Sequence, residues 1–373
     1  MNKQAISLGR ILGIPVGVDY SWFLIFTLVT WTLATSYFPA EFRSWSTAQY
    51  WIVGAVTAIL MFGSVLLHEL GHSVIAMRFK IPVRRITLFI FGGVAQIGAE
   101  PPSAIAELLI AIAGPVVSFA LALLFHLLQP MVGAMAPLLA VAKYLAYING
   151  SLALFNLIPG FPLDGGRVFR AIVWGITRNL RRATLIAAGV GRVVAFLFIL
   201  AGVWQLFTGN LANGLWIAFI GWFIQSAAAS QVQQQVLHDS LAGHRVSDVM
   251  SHNYTILPAE TTLQQVVDLH ILGSGQRSFV VTQGDSVVGL LTPQRIKETP
   301  RDVWPVTSVA QAMIPAAQVK PVQPDEQLLT ALEEMEADRV SQRPVVQDGH
   351  ILGILRLDDI FGFLRLAREL GVN

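Results

Sequence analysis

Six apolar stretches, each long enough or nearly so to cross a bilayer, constrain this chain more than any other feature. They lie near residues 20–38, 52–77, 104–128, 138–158, 184–207 and 212–230, and a helix needs about 20 such residues to span the hydrocarbon. In lipid each backbone amide must be satisfied inside the protein, so stretches of this kind fold as helices. The expected fold is an α-helical polytopic membrane protein of about six transmembrane helices. The charge is partitioned in the same way. Residues 1–230 hold six acidic side chains against fourteen Lys and Arg, whereas residues 231–373 hold seventeen against eleven. This reads as a membrane domain over 1–230, a linker over 231–244 and a soluble part beyond. The basic residues fall in short runs between apolar stretches, which argues for the lipid bilayer and against nucleic acid as their partner.

Orientation follows from those runs. Lys3 and Arg10 precede the first stretch, Arg78, Lys80, Arg84 and Arg85 follow the second, and Arg167, Arg170, Arg178, Arg181 and Arg182 follow the fourth. The alternate connections carry Arg43 and little else. Both termini are therefore expected in the cytoplasm, in a multi-pass plasma-membrane protein, with the end of the second stretch toward the cytoplasmic side. Lys143 and Arg192 fall inside stretches and are expected to snorkel or to face the protein interior. No small-residue cleavage pattern follows the first apolar run, which reads as a retained anchor. With no cysteine in the chain, disulfides and thiolate metal sites are excluded.

Residues 83–98, VRRITLFIFGGVAQIG, are β-branched and aromatic around Gly92-Gly93. The pattern predicts a short hairpin, re-entrant at membrane depth, turning at the glycines. An interfacial loop is the plainer alternative. An open edge of such a hairpin offers unpaired N–H and C=O groups to an extended peptide.

The second stretch ends in HELGH, residues 68–72. His68 and His72 are one helical turn apart and share a face, a spacing at which two imidazoles hold one zinc ion with Glu69 beside them as general base. Ionisable side chains inside a membrane segment are costly and mark functional sites. Zinc with two histidines calls for a third protein ligand and an open position for water. Asp164, in NLIPGFPLDGGRV, is the favoured candidate. Pro159 and Pro162 break the helix before it, and Gly165-Gly166 permits a tight turn after it. An ordinary capped helix end is the alternative for Asp164. Glu107 competes as ligand without a helix breaker beside it, and His126 lies toward the opposite face.

HELGH together with NLIPGFPLDGG on a separate stretch resembles the site-2 protease family of intramembrane zinc metalloproteases, over roughly residues 10–230. The resemblance implies that His68, His72 and Asp164 ligate one Zn2+ and that Glu69 is the catalytic acid/base. It also implies that Asn156 positions substrate or stabilises the oxyanion. AGPVVS at 113–118 resembles a further family segment in which relatives often carry Asn at the place of Ser118, and no function is carried onto that serine. The implied substrate is a single-pass transmembrane protein, such as an anti-sigma factor.

Beyond the membrane part, residues 246–296 and 309–360 repeat one pattern of apolar strand, amphipathic helix, V-V strand and G-x-L strand. They resemble a tandem of CBS domains, expected over 245–300 and 306–367 as an α/β pair. Such pairs often bind adenine nucleotides through a Thr or Ser followed three residues later by Asp. The first copy has Thr292 but Arg295, and the second has Asp359 but Arg356, so each retains half of the signature. A sensor, a structural pair and a homodimerising pair all remain open. Two other functions fit parts of the sequence: a CBS-bearing transporter or channel, and a catalytically inactive relative that binds membrane helices.

Overall fold

Apolar side chains continue around each long helix rather than along one face, and that is what the fold displays. The computed structural model describes residues 5–284, 286–338 and 340–370, and the chain divides into two compact units, 1–235 and 236–373. Among the described residues, six helices are long and apolar enough to span a bilayer: α1 (Tyr20–Glu41), α2 (Thr47–Arg78), α3 (Ala104–Val132), α4 (Ala136–Asn156), α6 (Leu180–Phe207) and α7 (Leu211–Leu241), all in unit one except that the last ends in unit two. A shorter helix, α5 (Asp164–Thr177), lies between α4 and α6. Leu24, Ile52, Leu123 and Phe196 are exposed on these helices, as suits a surface solvated by lipid. Small residues allow close backbone approach between α6 and α7: a Cβ on Gly214 would stand 2.7 Å from the Gly202 carbonyl oxygen.

Helix starts follow ordinary capping chemistry. Ser46 Oγ accepts from Gln49 N at 3.3 Å to open α2. Ser103 Oγ accepts from Ala106 N at 3.2 Å to open α3. Of the two charged residues expected inside stretches, Lys143 donates to Glu41 at 2.5 Å, and Arg192 is exposed on α6.

A four-stranded sheet, order β1-β2-β3-β4, completes unit one: β1 (Ala5–Ile11), β2 (Ile14–Asp19), β3 (Val83–Phe89) and β4 (Gly92–Ile97). β2 and β3 are parallel, with Val16 opposite Ile86, and the other pairs are antiparallel. The expected 83–98 hairpin is present, but its turn is Ile90-Phe91 and Gly92-Gly93 opens the second strand. The reason is steric. A Cβ on Gly93 would meet Glu69 Cγ at 2.6 Å, so this glycine serves close approach to α2 rather than the turn. Ile14, Ile86 and Leu70 form the buried seam between sheet and helix. The N-terminal hairpin β1–β2 was not anticipated from the sequence.

Unit two carries the repeat. β5 (Thr255–Pro258), β6 (Phe279–Gln283), β7 (Ser286–Leu291) and β8 (Ile314–Pro315) form one sheet in that order. The second copy contributes α8 (Leu328–Asp338), β9 (Gln342–Gln347), β10 (His350–Arg356) and α9 (Leu357–Leu370). Equivalent apolar positions fill the two cores, Leu257, Leu263, Val281 and Leu291 in one copy and Val322, Leu328, Val345 and Leu355 in the other. Val280, Leu290 and Ile354 join the copies. Arg343, 2% exposed, donates to Glu334 at 2.6 Å and to Asp338 at 2.5 Å.

Candidate metal centre

Four-residue spacing on α2 stacks His68 and His72 on one buried face, each 3% exposed. The peptide leaves α4 after Asn156, passes through the proline-containing loop and enters α5 with Asp164 as its first residue. Bulk is excluded from that re-entry: a Cβ on Gly165 would stand 2.3 Å from the Leu157 carbonyl oxygen, and one on Gly166 would stand 2.3 Å from Gly160 C. The loop is thereby folded tightly enough to aim the Asp164 carboxylate at both imidazoles. Asp164 Oδ2 lies 3.1 Å from His68 Nε2 and 3.2 Å from His72 Nε2, and the two Nε2 atoms are 3.2 Å apart.

That triangle has a physical meaning. The carbonyl of Ile110 can only accept, so His72 Nδ1, 2.7 Å away, must carry the proton. His72 Nε2 then presents a bare lone pair to the centre. Ser118 Oγ lies 2.8 Å from His68 Nδ1 and fixes that ring in turn. Lone pairs gathered at such spacing repel unless a cation lies among them. Tetrahedral ligands about 2.0 Å from a zinc ion stand roughly 3.3 Å from one another, close to the spacing observed. His68, His72 and Asp164 are the one cluster of this kind among the described residues.

Glycine 114 gives an independent test of fit. A Cβ there would lie 2.2 Å from His72 Nε2 and 2.6 Å from His68 Nε2, near the distance at which zinc sits from imidazole nitrogen, about 2.0–2.1 Å. Only glycine keeps side-chain atoms out of that volume. The donor set, two buried imidazoles and a carboxylate, also matches catalytic zinc sites with three protein ligands.

Glu69 is half-buried and turned toward β4, where its Oε2 accepts from Ala95 N at 3.1 Å. Asn156 Nδ2 lies 3.5 Å from His68 Nε2. Glu107 is not in the cluster: it is fully buried and takes a hydrogen bond from Arg170 Nε at 2.6 Å. His126 is exposed, toward the other end of α3. The orienting partners Ser118 and the Ile110 carbonyl escaped sequence reasoning, although the small residues of AGPVVS were a usable signal. In unit two, Arg356 donates to both carboxylate oxygens of Asp359, at 2.7 and 2.5 Å. Thr292 Oγ1 accepts from Arg295 N at 3.3 Å as a helix cap.

Comparison with known proteins identifies the family. The profile of Peptidase family M50 matches residues 56–135 and 131–200. Rip3 of Mycobacterium tuberculosis, named as a zinc metalloprotease, is 36% identical over 371 residues, spanning 98% of this chain and 94% of that protein. The chain belongs to peptidase family M50. This M50 peptidase is also 34% identical over 370 residues to sll0528 of Synechocystis, likewise named as a zinc metalloprotease, spanning 98% of this chain and 97% of that one. The solved site-2 protease of Methanocaldococcus jannaschii shares 31% identity, covers 61% of this chain and 95% of its own, and has a TM-score of 0.44. The CBS profile matches residues 246–301 and 309–366. The chain is thus a multi-pass membrane metalloprotease of the site-2 type with a CBS pair, and a transporter or channel is not favoured.

Proposed function

We propose that this protein is an intramembrane-cleaving zinc metalloendopeptidase that hydrolyses peptide bonds within or near transmembrane segments of membrane proteins. The observation that carries the reading is the convergence of His68, His72 and Asp164 on a volume that Gly114 keeps open. These three residues would hold zinc, which when bound supplies a Lewis acid for the scissile carbonyl and acidifies water. Glu69 takes the proton from the attacking water and delivers it to the amide nitrogen that leaves. Asn156 donates its amide N–H to the oxygen that gains negative charge.

A transmembrane helix hides its peptide bonds in its own hydrogen bonds, so the substrate must unwind before cleavage. β4 is an edge of its sheet and lies against Glu69. The Ala95 amide turns away from β3 toward the catalytic carboxylate, so a substrate strand added to this edge would run past Glu69. Because the chain lacks cysteine, Val94→Cys in a Glu69→Gln background provides one thiol. It is expected to cross-link to a cysteine near the scissile bond and not to one three turns away.

The distribution of Lys and Arg supports cytoplasmic termini, a cytoplasmic CBS pair and water entry to the site from that side. The substrate class this favours is a single-pass membrane regulator, such as an anti-sigma factor. Exposed Phe361, Leu366 and Leu370 on α9 suit a homodimer through the CBS pair, which light scattering on the detergent-solubilised chain would detect. The deciding experiment compares membrane proteomes of cells carrying the native and Glu69→Gln proteins. A helix-containing protein should accumulate uncut with Glu69→Gln while purified variant retains zinc. Indistinguishable proteomes, or cleavage undiminished in Glu69→Gln, would sink the peptidase reading.

A further inference from the structure

Two charges inside unit one have no part in the chemistry above. Glu107 on α3 is 0% exposed and Arg170 on α5 is 8% exposed. Arg170 Nε donates to Glu107 Oε1 at 2.6 Å, and Nη2 donates to the same oxygen. Glu107 Oε2 is buried with no hydrogen-bond partner among the described residues. As a stabilising device this is poor, because desolvating two charges costs more than a one-oxygen pairing returns. Its place in the fold is informative.

On α3, residues 107, 110, 114 and 118 follow one another at helical spacing along a single face. Glu107 is buried one turn before Ile110, whose carbonyl receives His72 Nδ1–H. Gly114 faces both imidazoles, and Ser118 orients His68. One face of α3 therefore sets both histidines. On the other side, Arg170 belongs to the helix that Asp164 opens. Its guanidinium also lies 5.2 Å from the ring centroid of Phe161, in the loop leading to Asp164. The ion pair joins the face that aims the histidines to the loop and helix that deliver the carboxylate.

We propose that Glu107 and Arg170 are positioning residues of the metal centre, a clamp between α3 and α5 that sets the distance between the two imidazoles and the Asp164 carboxylate. The proposal rests on His68, His72 and Asp164 being zinc ligands. Sequence spacing alone cannot hold ligands 96 residues apart to within a few tenths of an ångström, and zinc tolerates little more. A cross-brace of fixed length and direction supplies that constraint, which a slippery apolar contact does not.

The test uses the full chain in detergent and reads two quantities together, the rate of zinc loss to a chelator and the thermal unfolding midpoint. Glu107→Gln leaves Arg170 without its carboxylate and Arg170→Gln leaves Glu107 with Arg167 as its neighbouring cation, and both should lower the midpoint. The double variant Glu107→Gln/Arg170→Met removes both charges and should recover most of that stability, yet lose zinc about 10–100-fold faster than the native chain. Arg170→Lys keeps the charge with shorter reach and should fall between. Glu41→Gln, which breaks the Lys143 pair elsewhere in the unit, should leave the zinc rate alone. The clamp is overturned if the stability-recovered double variant holds zinc as the native chain does, or if zinc loss merely tracks the midpoint in all five variants. Failure of the ligand reading itself looks different: the native chain and His68→Ala would then carry the same zinc, and the clamp would fall with it.

Discussion

Replacing Gly114 by alanine adds one carbon and gives the sharpest test of the metal centre. The added Cβ would stand 2.2 Å from His72 Nε2 and 2.6 Å from His68 Nε2 and His72 Cε1. Unbonded heavy atoms settle about 3.5 Å apart, so the overlap is roughly 1.3 Å against one ring and 0.9 Å against the other. Neither ring can swing away without losing its Nδ1 partner, Ile110 O at 2.7 Å or Ser118 Oγ at 2.8 Å. Displacement by about 1 Å costs on the order of 10²-fold in a preorganised catalytic site, and a loss of that size in zinc affinity corresponds to about 2.8 kcal/mol at about 1.4 kcal/mol per tenfold. The helix itself should not suffer, since alanine is favoured over glycine by about 1 kcal/mol in a helix interior. Gly114→Ala is therefore expected to fold, to purify with little zinc and to cleave poorly. Elemental analysis, chelator competition and thermal unfolding of the detergent-solubilised protein read these together. Native zinc stoichiometry with affinity within about threefold of the native chain would refute the placement of the ion between these rings.

Ser118→Ala removes the hydroxyl that orients His68 and should speed zinc loss to a chelator about tenfold, with little change in unfolding midpoint. Arg356→Thr frees Asp359 and rebuilds the Thr-x-x-Asp spacing in the second CBS copy. Adenine nucleotide affinity, read by fluorescent-nucleotide titration of the full chain, should rise about tenfold, the worth of one hydrogen bond to a charged group, and an unchanged titration would remove that copy from the nucleotide reading. The hydrogen bond from Lys320, with Arg343 beside it, holds the Asp338 carboxyl below the usual carboxylate range. A depressed folded-state value means stability present above about pH 4 and lost as pH falls through that lower value. Asp338→Asn should therefore flatten the acid side of the unfolding profile of unit two, and equal acid sensitivity in variant and native would count against this pairing.

The parts of the fold legible in the sequence were those where water is excluded. A membrane segment has no option but to satisfy its own backbone, so all six long helices could be placed, with ends shifted by up to five residues except at the last, which runs to Leu241, eleven residues past the expected 230 and into the expected linker. His68 and His72 were legible because helical periodicity alone sets them side by side, and Asp164 because prolines and glycines surround it. Other parts rest on partners distant in the chain. β2 becomes a strand by pairing with β3, some 70 residues away, β1 joins it by local antiparallel pairing, and their sequence reads as an ordinary apolar lead-in. The carbonyl of Ile110 carries no side-chain signature at all. Glu107 looked like a candidate ligand because acids are rare in this unit, and only Arg170 on a neighbouring helix explains it.

The separation of the ligands along the polypeptide has an effect on synthesis. His68, Glu69 and His72 reach the bilayer long before Asp164, which lies 96 residues after the first of them, and a nascent chain stopped within α4 holds the base without the third metal donor. On the ligand assignment proposed above, hydrolytic competence arrives late, once the loop before α5 has brought Asp164 to the two histidines. Unfinished copies then lack a complete metal centre and are inert toward neighbours in the crowded insertion zone.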